Sequence, residues 1–329
     1  MRKFTKSIKS LLALFLAAAT LLTLCACSDG EENKGGKKYT IGICQLVKHE
    51  ALDAATQGFK DQLIAEFGED NIEFIEQNAQ NEPNVCNTIV NDFVNKKVDL
   101  ILANATSALQ AAANATFDIP ILGTSITEYG TALGIDNFSG TVGGNISGTS
   151  DLAPLAEQAA MIKDLFPDAK SVALLYCSAE PNSAYQIKVI KDELEKLGCT
   201  TVDCPFSDSN DVITVAKKAA SEDVIYTPTD NTAASCTEAI NGAIGNTPLV
   251  AGEAGICKGC GVATLSISYY ELGVATGKMA AKILRGDIKI SETPIGYAES
   301  FTKMYNPTKC AELGIDTAAL EAKGYTPLT

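Results

Sequence analysis

The chain has 329 residues, with 26 Lys+Arg against 40 Asp+Glu, a single histidine and a net charge of −14. Losing a leader that carries Arg2, Lys3, Lys6 and Lys9 leaves 22 basic against 40 acidic residues, a charge of −18, and no basic cluster. Such a surface has nothing to grip a nucleic-acid backbone, so a nucleic-acid partner is excluded. About 290 residues follow the leader region, enough for one large domain or two lobes.

The first nine residues, Met1 to Lys9, are basic, and an apolar run from Leu11 to Leu24 ends at Leu24-Cys25-Ala26-Cys27. That order of parts is a secretory leader. The run has 14 residues, short of the roughly 20 that a helix needs to cross a bilayer core. The boundary resembles a bacterial lipobox, with Leu at minus three, Ala at minus one and the acceptor at Cys27. The resemblance implies a signal peptide over 1–26, lipidation of Cys27, a flexible charged tether over 27–38, and a protein anchored on the outer face of the membrane. The alternative is a plainly secreted chain in which Cys27 is incidental.

From Tyr39 onward, strand and helix patterns alternate. Tyr39 to Cys44 is an apolar strand, and Glu50 to Phe67 places Leu52, Ala55, Phe59, Leu63 and Phe67 at helical spacing. Ile72 to Ile75 is a strand. Pro83 then starts a helix with Val85, Ile89, Phe93 and Val94 as its stripe. Val98 to Ala103, interrupted only by Asp99, and Ile119 to Leu122 are apolar strands flanking the alanine-rich helix Thr106 to Thr116. Such apolar strands fit a parallel sheet covered on both faces by helices.

Asp136 to Ser150 is rich in glycine and serine and lacks periodicity, and the same grammar restarts beyond it. Helix Leu152 to Phe166, strand Ser171 to Tyr176, helix Ser183 to Leu197 and strand Thr200 to Cys204 come first. Helix Asn210 to Ala219, strand Val224 to Tyr226, helix Thr232 to Ile240 and strand Pro248 to Ala251 follow. Val262 to Leu265 precedes a long helix, Tyr269 to Leu284, and Ala298 to Thr302 is a late strand crossing back. The reading is α/β, with two doubly wound lobes whose ligand cleft lies beyond the carboxyl ends of the strands.

Nine cysteines remain after Cys25 and Cys27 are set aside, and an odd number leaves at least one free within a single chain. Cys257-Lys258-Gly259-Cys260 has redox-motif spacing. It is read as structural, because the glycine-rich stretch lacks a strand-then-helix context. The one histidine, His49, is remote in sequence from the cysteines, and no metal or cofactor is expected.

Several segments carry a family resemblance. They are Ile41-Gly42-Ile43-Cys44-Gln45 with His49 to Ala55 and Gly58-Phe59; Gln77 to Gln80; Leu175-Tyr176 with Glu180-Pro181-Asn182-Ser183; Pro228 to Thr232; and Tyr269 to Gly273 with Gly277 to Ala280. Together they resemble the ABC-transporter substrate-binding proteins of the tryptophan/tyrosine-binding kind, across nearly all of Tyr39 to Ile315. Cys44 and Thr124 to Tyr129 depart from the family's usual residues. The resemblance implies a type I periplasmic-binding fold with three crossings. Its N-terminal lobe would be 39–150 plus 265–294, and its C-terminal lobe 151–264 plus 295–329. It implies an aromatic amino-acid ligand, a membrane permease as partner and a monomer, with branched-chain amino acids, nucleosides and sugars as rival ligands.

Strand ends and helix starts supply the candidate contacts. Ser125 and Thr127, with Asn182 and Ser183, suit a carboxylate, although Asn182 and Ser183 are equally ordinary helix caps. Asp230 is the candidate for an ammonium, with Glu253 as second carboxylate, and a helix cap explains Asp230 just as cheaply. Gln45 and His49 flank the first strand end, and Asn104, Thr106 and Asp136 close later segments. Of Tyr269 and Tyr270, one would pack in the first turn of the long helix and the other would offer an aromatic wall. The chain has no GxxxxGK[ST], GxSxG or HExxH motif, so it is read as a binding protein rather than an enzyme. A non-transport sensory or structural lipoprotein is the remaining class.

Overall fold

Residues 37–328 are described in the computed structural model of the protein; the leader, Cys27 and most of the tether lie outside them. The apolar strands become two parallel-rich sheets, because each must be buried on both faces. The first sheet is built from β1 (Tyr39–Gln45), β2 (Ile72–Asn78), β3 (Leu100–Asn104), β4 (Ile121–Ile126) and β5 (Ile146–Ser150). Between them run α1 (Glu50–Phe67), α2 (Pro83–Lys96), α3 (Thr106–Ala115) and α4 (Tyr129–Leu133).

The chain then enters the second lobe. α5 (Leu155–Leu165), β6 (Ser171–Cys177), α6 (Pro181–Lys196), β7 (Thr200–Phe206), α7 (Val212–Ala219) and β8 (Val224–Thr227) come first. α8 (Asn231–Ser235), α9 (Thr237–Ile244), β9 (Leu249–Ala251), α10 (Ala254–Cys260) and β10 (Ala263–Ser266) continue it. α11 (Tyr269–Arg285) and β11 (Gly296–Tyr297) return to the first lobe. β12 (Thr302–Tyr305), α12 (Pro307–Leu313), α13 (Thr317–Ala322) and β13 (Thr326–Pro327) end in the second.

The sheet orders are β11-β5-β4-β3-β1-β2 and β13-β12-β10-β9-β8-β6-β7. Both have the doubly wound form in which strand ends meet at a topological switch, and three segments cross between them, at 151–154, 267–268 and 298–301. β10 pairs within the second sheet and β11 with β5 of the first, so sheet membership changes at 267–268 and 298–301. Apolar side chains fill both faces of each sheet. In the first lobe Phe93, Ile101, Leu109 and Ile121 lie on one side, with Ile41, Phe59, Leu63 and Leu100 on the other. In the second lobe Leu174, Ile190 and Tyr226 lie opposite Leu175, Phe206 and Ile225.

The return helix α11 is held against α1 by two glycines. A Cβ on Gly58 would stand 2.1 Å from the Tyr270 carbonyl oxygen, and one on Gly273 would stand 2.0 Å from that of Ala55. Only hydrogen allows backbones so near, and this contact docks the third chain segment onto the first lobe.

Four local expectations need correction. β5 lies inside the stretch read as irregular, since Ile146 is its one large apolar residue and a parallel neighbour, not its own pattern, makes it a strand. The expected helix Thr232–Ile240 is two helices broken at Cys236. The late strand begins at Thr302, and 298–301 is the crossing itself. Cys257 and Cys260 do follow a strand-then-helix sequence, but they sit in the middle and at the last residue of α10, fully buried, where burial raises both thiol pKa values and disfavours the reactive thiolate.

Candidate ligand-binding cleft

Parallel register brings the strand ends of the first lobe into line. Gln45 pairs with Asn104, Asn104 with Thr124, and Ile126 with Ser150. Gln45 is spent on internal order: its Nε2 donates to the Val47 carbonyl (2.8 Å) and Asp53 Oδ1 (2.7 Å), and its Oε1 accepts the Thr56 hydroxyl at 2.7 Å. Asn104 continues that chain, donating from Nδ2 to the Leu52 carbonyl (2.8 Å) and Thr56 Oγ1 (2.9 Å). These donor contacts fix the amide, and Asn104 Oδ1 is left buried without a partner.

The same edge carries backbone strain. Ala105 has φ +91 and Ser125 φ +56, both in the left-handed region that residues with a Cβ rarely adopt. Register slips between Gly123 and Ile126, a bulge that re-aims Ser125. The Ser125 hydroxyl is buried and unpartnered. Helix α3 starts beside it with Thr106 buried, and its cap residue, Ala105, has no side chain to satisfy the first N–H groups. Thr127 is buried, and its carbonyl accepts the Ser150 hydroxyl at 2.9 Å.

Asp151 begins the first crossing. One of its oxygens accepts the Tyr269 hydroxyl at 2.9 Å, which ties the first crossing to the end of the second, while Oδ1 is buried with no partner. Burial pushes the Asp151 carboxyl above its usual range, against the neighbouring hydroxyls of Tyr269 and Thr127. Tyr270 points elsewhere, 40 % exposed, with its hydroxyl on Asp61 at 3.1 Å. Asp136 is exposed on the loop after α4 and joins no contact of the cleft edge.

In the second lobe the candidate polar groups mostly hold one another. Asp230 accepts from the Cys177 N–H (2.6 Å), the Ser183 hydroxyl (2.8 Å) and the Ala233 N–H (2.8 Å), so it caps α8 and pins it to the end of β6. Burial, with the nearby charge of Glu180, pushes its pKa up to about 8. Asn182 donates to Glu180 Oε2 (3.1 Å) and to the Thr229 carbonyl (3.2 Å). Glu253 caps α10, accepting from the N–H groups of Gly255 (2.7 Å) and Ile256, and burial pushes its pKa up to about 7.

The lobes touch through polar groups. His49 Nε2 lies 3.2 Å from Asn231 Oδ1, Asn81 donates to the Thr232 hydroxyl at 3.0 Å, and Lys258 reaches Glu50 at 3.4 Å. Burial lowers the His49 pKa and favours the neutral ring. Sequence reasoning named His49 as a ligand contact; here it reaches the opposite lobe. It passed over Asp151 and Glu180. Asp151 ends a serine- and glycine-rich stretch with no pattern to mark it, and Glu180, although it lies in a segment that carries the family resemblance, reads there as the residue before a helix-starting Pro181.

Two facing doubly wound sheets, three crossings and a buried polar seam define a two-lobed periplasmic-binding receptor. The sequence pattern of the ABC transporter substrate binding protein family matches residues 40–320, and the chain belongs to that family. It is the extracytoplasmic, non-catalytic substrate-binding component of an ABC importer. It is 34% identical over 303 residues to a tyrosine-binding protein of Clostridioides difficile, covering 88% of this chain and 87% of that one. It is similar to an ABC domain from Streptococcus pneumonia solved in complex with L-Trp (30% identity, 89% of this chain and 100% of that, TM-score 0.83). It is also similar to the ligand-free, open structure of a Clostridium difficile substrate-binding protein with adhesive properties (33% identity, 88% and 100%, TM-score 0.67). At nearly equal identity the liganded structure superposes better, in keeping with the polar contacts that join the lobes here.

Proposed function

We propose that the cleft encloses a free L-aromatic amino acid, tryptophan or tyrosine foremost, and hands it to a membrane permease. The observation that carries this is a pair of buried, unpartnered acceptors, Asp151 Oδ1 and Asn104 Oδ1, at strand ends that flank β4. Two orphaned acceptors in a water-poor seam call for a donor with several N–H bonds, and an ammonium supplies three. The uncapped start of α3 and the orphaned Ser125 hydroxyl present donors suited to the α-carboxylate. Asp151 therefore replaces Asp230 as the ammonium partner, since Asp230 already accepts three hydrogen bonds. Thr106 and Thr127 border this head-group site. The aromatic preference is taken from the tyrosine-binding and L-Trp-bound relatives.

Closure of the lobes (39–150 with 269–297, and 155–266 with 302–328) would shut the ligand from water. Calorimetry on the mature domain should find Trp, Tyr or Phe bound more tightly than Leu or Ile; equal or better binding of the aliphatic amino acids defeats the assignment. Lipidation at Cys27 would hold the receptor beside its permease. Intact-mass analysis of the full chain from a host that matures lipoproteins tests it, and a soluble unacylated product counts against it.

A further inference from the structure

The geometry points to Glu180 as the positioning residue for lobe closure: it sets the hydrogen-bond polarity of Asn231 and Thr232 so that both present acceptors to donors of the opposite lobe. Among the described residues the hydrogen bonds of Glu180 stay within its own lobe, while its charge also acts on His49 across the seam. Its Oε2 accepts from the Asn231 N–H (3.0 Å) and Asn231 Nδ2 (2.8 Å), and its Oε1 from the Thr232 N–H (2.8 Å) and Thr232 hydroxyl (2.7 Å). Asn182 adds a further donor to Oε2, at 3.1 Å. All three of Glu180, Asn231 and Thr232 are buried.

An amide and a hydroxyl can each face a neighbour as donor or acceptor. Glu180 removes that choice. With Nδ2 of Asn231 committed to the carboxylate, Oδ1 must face outward, where His49 Nε2 stands 3.2 Å away. With the hydroxyl proton of Thr232 committed, its lone pairs face outward, where Asn81 Nδ2 donates at 3.0 Å. The first lobe is prepared to match. His49 precedes α1 in extended backbone with its side chain unused as a cap, and Asn81 is held at φ +65 by a hydrogen bond from its N–H to the Leu46 carbonyl. The chain's one imidazole thus donates from Nε2, as the neutral Nε2–H tautomer.

This inference rests on the reading of the protein as a receptor that closes on a ligand, and its test separates the two. In the ligand-free protein, Glu180→Gln turns a nitrogen toward the N–H of either Asn231 or Thr232, whichever way the new amide faces, and neither can accept. Hydrogen exchange of the Asn231 and Thr232 amides should rise at least tenfold, with β6 and α6 protected as before; unchanged exchange overturns the proposal whatever the protein binds. With L-tryptophan and L-tyrosine as probes, E180Q should bind at least tenfold more weakly, through faster dissociation. In a His49→Ala, Asn81→Ala background the same substitution should change affinity less than twofold, because the contacts it orients are already gone. An equal loss in both backgrounds, or no loss in either, overturns the positioning role. Failure of the unaltered protein to bind either probe falls on the ligand assignment, and the exchange measurement still decides the role of Glu180.

Discussion

Asp151 accepts the Tyr269 hydroxyl through one carboxylate oxygen and keeps the other buried and free. Two of the three interlobe crossings are thereby joined, and under the proposed function the ammonium site and the hinge would share this side chain.

Asp151→Asn removes the charge and can keep an oxygen for Tyr269. Truncating one partner of a buried charged hydrogen bond costs about 2–5 kcal/mol, so affinity for an aromatic amino acid should fall at least thirtyfold by calorimetry. Because burial without a ligand disfavours this carboxylate, the ligand-free variant should unfold no earlier than the parent. Unchanged affinity in a folded D151N protein would remove Asp151 from the site.

Asp230→Asn should act differently. Its carboxylate serves two N–H groups and one hydroxyl, and an amide nitrogen in its place meets a donor. A loss of about 1–3 kcal/mol in folding stability is expected in urea titrations of the ligand-free chain. A stable D230N protein with abolished binding would restore Asp230 as a direct ligand contact.

Two buried carboxyls predict the response to pH. Burial pushes Glu253 from an ordinary 4.5 up to about 7, and burial with Glu180 pushes Asp230 from 3.8 up to about 8. Between those values the folded chain binds more protons than the unfolded one. Their contribution is therefore fully present below about pH 4 and is lost as pH rises through 7 and 8. From pH 5.5 to 8.5 the unfolding free energy should drop by on the order of 2–5 kcal/mol, and Glu253→Gln should flatten the slope. A rise in stability over the same range would contradict these environments.

Gly273→Ala drives a methyl into the Ala55 carbonyl oxygen. Both partners are backbone and cannot rotate away, so α11 must lift from α1 at a cost of about 1–3 kcal/mol. Thermal melts should show the loss, whereas Gly286→Ala, at an open helix end with φ +78, should cost less.

Much of this architecture was legible in one dimension. Short apolar runs such as Leu100 to Ala103 and Ile119 to Leu122 fit strands covered on both faces, and their alternation with helical stripes implies two doubly wound lobes and a cleft at the strand ends. The basic leader and Leu24-Cys25-Ala26-Cys27 are local signals, complete in themselves. Side-chain roles in the cleft were not legible in this way. Asp230, Glu253 and Asn182 have the right chemistry at the right strand ends, yet folding uses them to cap helices and bind neighbouring loops, because a buried polar group takes the nearest partner. Asp151 and Asn104 each keep one buried oxygen unpaired, although Tyr269 takes the other oxygen of Asp151 and the Asn104 amide nitrogen is spent on Leu52 and Thr56. Which polar atoms are left over is a property of the whole packed arrangement, and only the tertiary structure decides it.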